Sequence, residues 1–164
     1  MNEEIINDLN KFNEYIIELA QEKKEQFKIK NVSGINSTKN PEEVINVFAD
    51  ADLVTTAVVP NVLPLIAPLI AKGIQKRKKI NSTQPLDIIA CENMIGGSDF
   101  LKKEVVKYLS DKEIQYLEQY IGFPNTAVDR IVPLQTHEDP LFVSVEPYKE
   151  WIISEKDRLY NLKD

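Results

Sequence analysis

The run Leu86–Gly97, LDIIACENMIGG, constrains the fold of this chain more than any other segment. Its first half is mostly Leu, Ile and Ala, which predicts a buried strand, and its second half changes abruptly to polar residues and glycine. Parallel α/β sheets contain such strands, because they are covered on both faces and present polar side chains where each strand ends. A second run of this kind, AVDRIVP at Ala127–Pro133, follows further along the chain.

The segments between residues 52 and 120 alternate between strand-like and helix-like patterns. Pro60–Lys79 has most of its prolines in its first turns, where a missing amide costs a helix least. Ser98 and Asp99 are typical helix caps and precede another predicted helix. The predicted order is strand, helix, strand, helix, helix over residues 52–58, 60–79, 86–91, 100–109 and 111–120. This alternation predicts the α/β class, with parallel pairing and right-handed crossover connections.

The flanking segments add helices, a hairpin and further strands. Apolar spacing predicts a helix over Asn2–Phe12, and two apolar stretches around a charged turn predict a hairpin over residues 15–32. An Asn-Pro-Glu-Glu start predicts a helix from Asn40 to about Ala49. Its predicted buried residues are Val44, Ile45, Val47 and Phe48. The alternating tail after Ile131 predicts strands around a loop at residues 135–140.

Composition excludes several classes of protein. The 164-residue chain has a formal net charge of −6, whereas a nucleic-acid-binding surface must be basic to neutralise phosphates. We also expect no membrane partner, because no uncharged apolar run is long enough to cross a bilayer. The basic cluster Lys72–Lys79 lies at the end of a predicted helix, where it complements the helix dipole. The single cysteine, Cys91, suits a reducing compartment, so we expect a cytoplasmic protein in which this thiol packs against the core.

Three predicted strand ends carry the candidate binding residues, and a parallel sheet would bring them to one edge. Thr56, Ala57 and Val58 end the first strand, where small residues let a flat cofactor approach the backbone or simply form a turn. Glu92 and Asn93 end the second; the Asn93 amide can donate to an oxyanion without changing its protonation state, although asparagine is also a common turn residue. The third end contains Asn125 and leads into Val128, Asp129 and Arg130.

Asp129 and Arg130 are adjacent charges flanked by apolar residues, and charged residues are rarely buried unless they are paired. One interpretation is an internal ion pair that holds two segments together. The other is a set of hydrogen bonds to a polyhydroxy or phosphorylated ligand. The residues alone leave both interpretations open.

The chain contains five segments that occur together in one known family: DLVTTAV, PNVLPLIAPLIAKGI, IIACENMIGG, IGFPNTAVDRIVP and VEPYKEW. Each is unspecific alone, but in combination they resemble the polyol-specific long-chain dehydrogenases. The resemblance extends over most of the chain, to about Ile153. It is strongest to the branch that interconverts mannitol 1-phosphate and fructose 6-phosphate with NAD as cofactor and without a metal.

The resemblance implies a role for each candidate residue. Asn93 takes the position of an asparagine that holds the reacting oxygen, and Glu92 and Thr56–Val58 lie beside the cofactor. Val128 and Asp129 take positions that line the polyol site. Asn125 and Arg130 are further substrate-binding candidates. Val59 departs from the family, where glycine is usual, and its Cβ would crowd the cofactor phosphates or bend the turn.

The same resemblance implies an incomplete Rossmann-like domain over residues 1–155, with helices on both faces of a doubly wound, mostly parallel sheet. Residues 156–164 would begin a linker to a helical domain. The family's first strands, its glycine-rich loop and the lysine that acts as general base are then expected outside this chain. We therefore expect little or no activity from the chain alone, and self-association through an exposed edge of its sheet.

Two other functions stay open on the sequence. A non-catalytic interaction module would keep the sheet and bind no cofactor, so titration with NADH would distinguish it from a dehydrogenase. A related polyol or hexuronate oxidoreductase would keep the cofactor and differ in its substrate.

Overall fold

A computed structural model of the chain describes residues 3–159. These residues form two compact units. The first, which we call the hairpin unit, contains the described residues up to Asn40 together with Asp129–Glu150. The second, which we call the parallel unit, contains Pro41–Val128 and the described residues from Trp151 onward. Within residues 3–159, no helix is both long and apolar enough to span a bilayer.

The hairpin unit contains one helix and a three-stranded sheet. The elements are α1 (Glu3–Phe12), β1 (Glu14–Leu19), β2 (Gln26–Lys30) and β7 (Phe142–Val145). β1 lies in the middle, antiparallel to β2 and parallel to β7, so the predicted hairpin is confirmed. The predicted first helix is also confirmed from Glu3, and Asn2 lies outside the described residues. Of the strands predicted around the loop at residues 135–140, β7 is confirmed. The strand predicted before the loop is wrong: residues 131–134 form none, because Pro133 lacks the amide that a strand ladder needs.

The parallel unit contains four helices and a three-stranded sheet. They are α2 (Pro41–Asp50), β3 (Leu53–Thr56), α3 (Leu63–Lys79), β4 (Leu86–Ala90), α4 (Gly97–Val106), α5 (Asp111–Tyr120) and β5 (Ile121–Gly122). The strands are parallel and ordered β3–β4–β5, which confirms the α/β class and the parallel pairing. Strands β6 (Thr126–Asp129) and β8 (Glu150–Ile153) form a separate two-stranded sheet.

β4 lies at the centre of the core of the parallel unit. All five of its residues are buried, which explains why the run is almost continuously apolar. Helix α3 covers it with a stripe of buried residues at helical spacing: Leu63, Ala67, Ile70, Ala71 and Ile74. Leu101 and Val105 of α4 and Leu117 of α5 complete the same cluster.

Two predicted details of the parallel unit are wrong. Val47 is 57% exposed, because a ten-residue helix buries one stripe and α2 buries Ile45, Phe48 and Ala49 instead. Helix α4 runs from Gly97 to Val106 rather than from Phe100 to Leu109. Gly96 has a left-handed backbone with φ of 70°, and this conformation lets the helix begin immediately after it.

Arg77 lies in the last turn of α3, within the basic cluster, but its charge is not on the protein surface. Its side chain is buried, and its guanidinium donates to the carbonyl oxygens of Ala49, Ala51 and Gln84, each at 2.8 Å. These carbonyls belong to the end of α2 and to the loop before β4. Arg77 therefore joins three segments of the parallel unit through buried hydrogen bonds.

We predict that Arg77→Met lowers the free energy of unfolding of this chain by about 3 kcal/mol, because it leaves buried carbonyl groups without donors. Lys79→Met is the matched control, since Lys79 is exposed at the same end of the same helix. We expect the control to change stability by about 0.5 kcal/mol or less. Urea unfolding followed by circular dichroism measures both. Equal stability of the two variants would contradict a structural role for Arg77.

Gly122 of β5 leaves room for a buried carboxylate. A Cβ at this position would lie 2.0 Å from Oδ1 of Asp87 and 2.5 Å from the carbonyl oxygen of Asp157. Asp87 is itself buried in β4, and its Oδ1 accepts a hydrogen bond from the amide of Leu159 at 2.9 Å. The segment after β8 is thus fastened to β4, and Gly122 is required for the close approach.

Gly122→Ala should therefore destabilise the chain by about 1–3 kcal/mol, the range typical of an overpacked core. Gly34→Ala serves as the control, because its Cβ would come no closer than 3.3 Å to any neighbouring atom, the nearest being an Ile6 methyl group. Thermal unfolding of the two variants provides the comparison. A Gly122→Ala protein as stable as the parent would show that the Asp87 contact is dispensable.

Candidate active site

The carboxyl ends of β3 and β4 emerge side by side in the parallel unit. Thr56 lies opposite Ala90 in the parallel register, and the Cys91 amide donates to the Thr56 carbonyl at 3.0 Å just beyond the strands. The segments that follow, Ala57–Val59 and Glu92–Met94, therefore leave the sheet at the same edge. In open α/β sheets this edge is where ligands bind.

Glu92 connects these two segments directly. Its carboxylate is buried, and one oxygen accepts from the Thr56 hydroxyl at 2.9 Å. The other oxygen accepts from the Val58 amide at 3.0 Å. β3 ends at Thr56 rather than at the predicted Val58, because the Val58 amide bonds to this carboxylate instead of continuing the ladder.

Ala57 and Val58 are the exposed part of this arrangement. Ala57 has the smallest side chain of the segment, which allows a flat ring to approach the backbone. Val59 is also exposed, and its φ of −76° is one that any residue can adopt. The described backbone is therefore unstrained at Val59, and the expected effect of its Cβ on the cofactor phosphates or on the turn stays a prediction.

Asn93 follows Glu92 and is exposed. Among residues 3–159 its side-chain amide forms no hydrogen bond, whereas the turn beneath it is fixed by a bond from the Met94 amide to the Glu92 carbonyl at 2.7 Å. A side-chain amide presented from such a turn, with its donors unused, can donate to a carbonyl or alkoxide oxygen of a ligand. The role predicted for Asn93 agrees with this geometry and stays a prediction.

Ser98 and Asn125 fix the other end of the turn that carries Asn93, where α4 begins. The buried Ser98 hydroxyl accepts from the Ala90 amide at 3.0 Å. The Asn125 oxygen accepts from the amides of Ser98 and Asp99, at 3.1 and 3.4 Å, and its nitrogen donates to the Asp99 carboxylate at 2.8 Å. Asn125 thus caps the start of α4, so the structure gives it a positioning role in addition to the predicted substrate contact.

The remaining substrate-binding candidates belong to other elements of the chain. Val128 and Asp129 belong to β6, and Val128 is half exposed. Asp129 and Arg130 fall within the hairpin unit. Arg130 donates to the Glu146 carbonyl at 3.3 Å. Within the part of the chain that the structure describes, neither Asp129 nor Arg130 forms a salt bridge, so the internal ion pair is not found. The Glu150 carboxylate raises the pKa of Tyr148, and Asp129 adds to this effect.

Cys91 lies between β4 and Glu92, in surroundings that disfavour its thiolate form. Burial raises the pKa of Cys91, and the neighbouring Glu92 carboxylate adds to this effect. Because the thiolate is the nucleophilic form, both effects lower its reactivity. This agrees with the packing role expected from the sequence.

Sequence reasoning identified Thr56, Val58, Glu92 and Asn93, which the structure brings together. It did not identify Ser98 as a buried acceptor, nor Asn125 as a cap on a helix 27 residues earlier in the chain. A signal was present for Ser98, because a small polar residue directly after two glycines can enter a core. The contact of Asn125 has no local signal.

Comparison with known proteins agrees with the resemblance. A family model described as the mannitol dehydrogenase Rossmann domain matches residues 1–163. A mannitol-1-phosphate 5-dehydrogenase of Streptococcus mutans is 57% identical over 153 residues, covering 93% of this chain and 40% of the relative. The enzyme of the same name from Enterococcus faecalis is 58% identical over 158 residues, covering 96% of this chain and 41% of the relative.

A third relative with this name, from Lactococcus lactis subsp. cremoris, is 57% identical over 154 residues. It is covered to the same extent as the others, so the chain spans about 40% of the length of these relatives. The predicted Rossmann fold class and the predicted family are thereby confirmed. This chain belongs to the mannitol dehydrogenase family, whose Rossmann domain it matches over almost its whole length.

Proposed function

We propose that this chain is the dinucleotide-binding part of an NAD-dependent mannitol-1-phosphate 5-dehydrogenase, which transfers hydride between D-mannitol 1-phosphate and NAD to give fructose 6-phosphate and NADH. The names of the relatives support the substrate, and the Rossmann domain supports a nucleotide cofactor. The observation that carries the proposal is the exposed Asn93 amide beside the joined ends of β3 and β4.

In this proposal NAD, when bound, accepts the hydride, and the chain supplies binding and orientation. Thr56, Ala57, Val58 and Glu92 form the cofactor side of the site. The Asn93 amide donates to the substrate oxygen on the reacting carbon and stabilises its negative charge. Asn125, Val128, Asp129 and Arg130 are the proposed substrate-binding residues.

The alcohol proton needs a general base. The family resemblance assigns this role to a lysine in a helical domain, and the matched 40% of the relatives leaves room for such a domain beyond the match. We therefore propose that the boundary of the Rossmann-like domain lies near residue 155 and that the chain alone does not turn over substrate. We further propose that the protein works in the cytoplasm, in keeping with its single reduced cysteine.

A chimera tests the function. This chain replaces the matching 153 residues of the Streptococcus mutans relative, and NADH formation from mannitol 1-phosphate is followed at 340 nm. We expect turnover comparable to that of the parent enzyme, because the two sequences are 57% identical over that range. A chimera that folds as the parent does but forms no NADH would contradict the proposed function.

Within that chimera, Asn93→Ala should lower kcat by about a hundredfold or more, the loss typical of a missing oxyanion donor. Asn46→Ala is the matched control, because Asn46 is exposed on α2 and lies outside the proposed site. Steady-state kinetics in both directions measure the effect. An unchanged kcat in Asn93→Ala would remove Asn93 from the reaction.

We also propose that the chain associates with a second copy of itself through β3. Within residues 3–159, β3 pairs only with β4. The Thr56 carbonyl points toward β4. Because backbone groups of successive residues point to opposite sides of a strand, the carbonyl of Thr55 points away from β4, toward the open edge. An edge with free donors and acceptors can pair with another strand.

Thr55→Lys should weaken this association, since a charged side chain on an edge strand opposes pairing. Sedimentation velocity over a hundredfold range of concentration is the measurement, and the control is Thr38→Lys in the hairpin unit. We expect a concentration-dependent dimer in the parent and control and a monomer in Thr55→Lys. A parent chain that stays monomeric throughout would exclude this contact.

A further inference from the structure

Among residues 3–159 the Glu92 carboxylate has no cationic partner. Within the part of the chain that the structure describes, its hydrogen bonds come from the Thr56 hydroxyl and the Val58 amide, and none of the salt bridges includes it. The residue is only 7% exposed. A buried carboxylate is costly unless hydrogen bonds compensate it, so its position is determined by these two donors.

Both donors belong to the segment that leaves β3, whereas Glu92 belongs to the segment that leaves β4. The two hydrogen bonds therefore connect the residues on either side of Ala57 with the residue that precedes Asn93. Each carboxylate oxygen is directed to its donor, and Thr56 is itself 7% exposed. These groups point into the protein, whereas Ala57 and Asn93 are exposed.

We propose that Glu92 and Thr56 are positioning residues, which determine where Ala57 and Val58 lie relative to Asn93 and do not themselves touch the cofactor. This inference rests on the proposed function, and it assigns two different roles to the residues on the cofactor side of the site. Ala57 and Val58 provide the surface against the cofactor, and Glu92, through Thr56 and the Val58 amide, fixes that surface. Loss of Glu92 then weakens NADH binding more than it lowers kcat.

A double-mutant cycle in the chimera distinguishes positioning from direct contact. NADH affinity is measured by fluorescence titration in Thr56→Val, Glu92→Ala and the double variant. If the two side chains act only through each other, we expect each variant to bind about tenfold more weakly and the double variant to bind no more weakly than Glu92→Ala. Additive losses, about a hundredfold in the double variant, would overturn the proposal.

The conservative variant Glu92→Gln provides a rescue. Its amide oxygen can still accept from the Val58 amide, and its NH₂ group can donate to the Thr56 hydroxyl oxygen. We expect its NADH affinity to stay within about twofold of the parent. A loss as large as that of Glu92→Ala would show that the negative charge itself acts on the ligand and would overturn the positioning role.

A measurement without cofactor separates this inference from the proposed function. Hydrogen exchange of the Val58 amide is followed in this chain, where the parent should protect it through the Glu92 bond. We expect exchange at least tenfold faster in Glu92→Ala, near-parent exchange in Glu92→Gln, and no change in the exposed control Glu43→Ala. Unchanged exchange in Glu92→Ala would overturn the inference even in an active chimera, whereas an inactive chimera with these exchange rates would contradict only the proposed function.

Discussion

The register of β4 against β3 is the constraint on which the site depends. Thr56 lies opposite Ala90, and this alignment brings Thr56 and Glu92 within hydrogen-bond distance. Side chains alternate between the two faces of a sheet, so a slip of one residue would turn Glu92 to the opposite face. It would also direct the apolar side chains of β4 away from α3. The packing of the core and the position of the site are thus determined by the same alignment.

Buried polar groups reinforce this alignment. Arg77 joins the end of α2 to the loop before β4, Asp87 fastens the segment after β8, and Ser98 holds the start of α4 against Ala90. Each contact links segments that the chain separates, and each leaves a buried group without a partner if it is broken. Such contacts favour one arrangement of the elements over others that bury the same apolar surface. Asn93 is therefore presented from a turn that is fixed on both sides.

Much of the fold followed from the sequence. The apolar run of β4 is continuous because helices cover it, and the prolines after β3 mark the start of a helix, so both elements were predicted. The start of α3 differs: it begins at Leu63 rather than Pro60, because residues 60–62 form a turn of 3-10 helix. The errors arose where tertiary structure decides the outcome. Val47 is as apolar as Ile45, but only packing selects the buried stripe of α2. The left-handed conformation of Gly96 likewise moves the start of α4 without a signal that sequence spacing could supply.

The candidate site shows the same division. The residue types at the ends of β3 and β4 predicted which side chains meet, because parallel strands end at one edge. The direction of each side chain was not predictable, since Glu92 and Asn125 both bind groups that lie 26 to 36 residues away along the chain. Glu92 is acidic at a position where a ligand contact was expected, yet its oxygens face inward. Polar residues in the sequence identify where a strand ends. Only the structure shows whether such a side chain is free to bind a ligand or instead bonds to the protein.

A crystal structure of the chimera with bound NADH tests this account most directly. The account predicts the nicotinamide ring against Ala57 and Val58, near the Asn93 amide, with the Glu92 carboxylate still bound to Thr56 and to the Val58 amide. A cofactor that hydrogen-bonds to Glu92 itself, or that lies at another edge of the sheet, would contradict it.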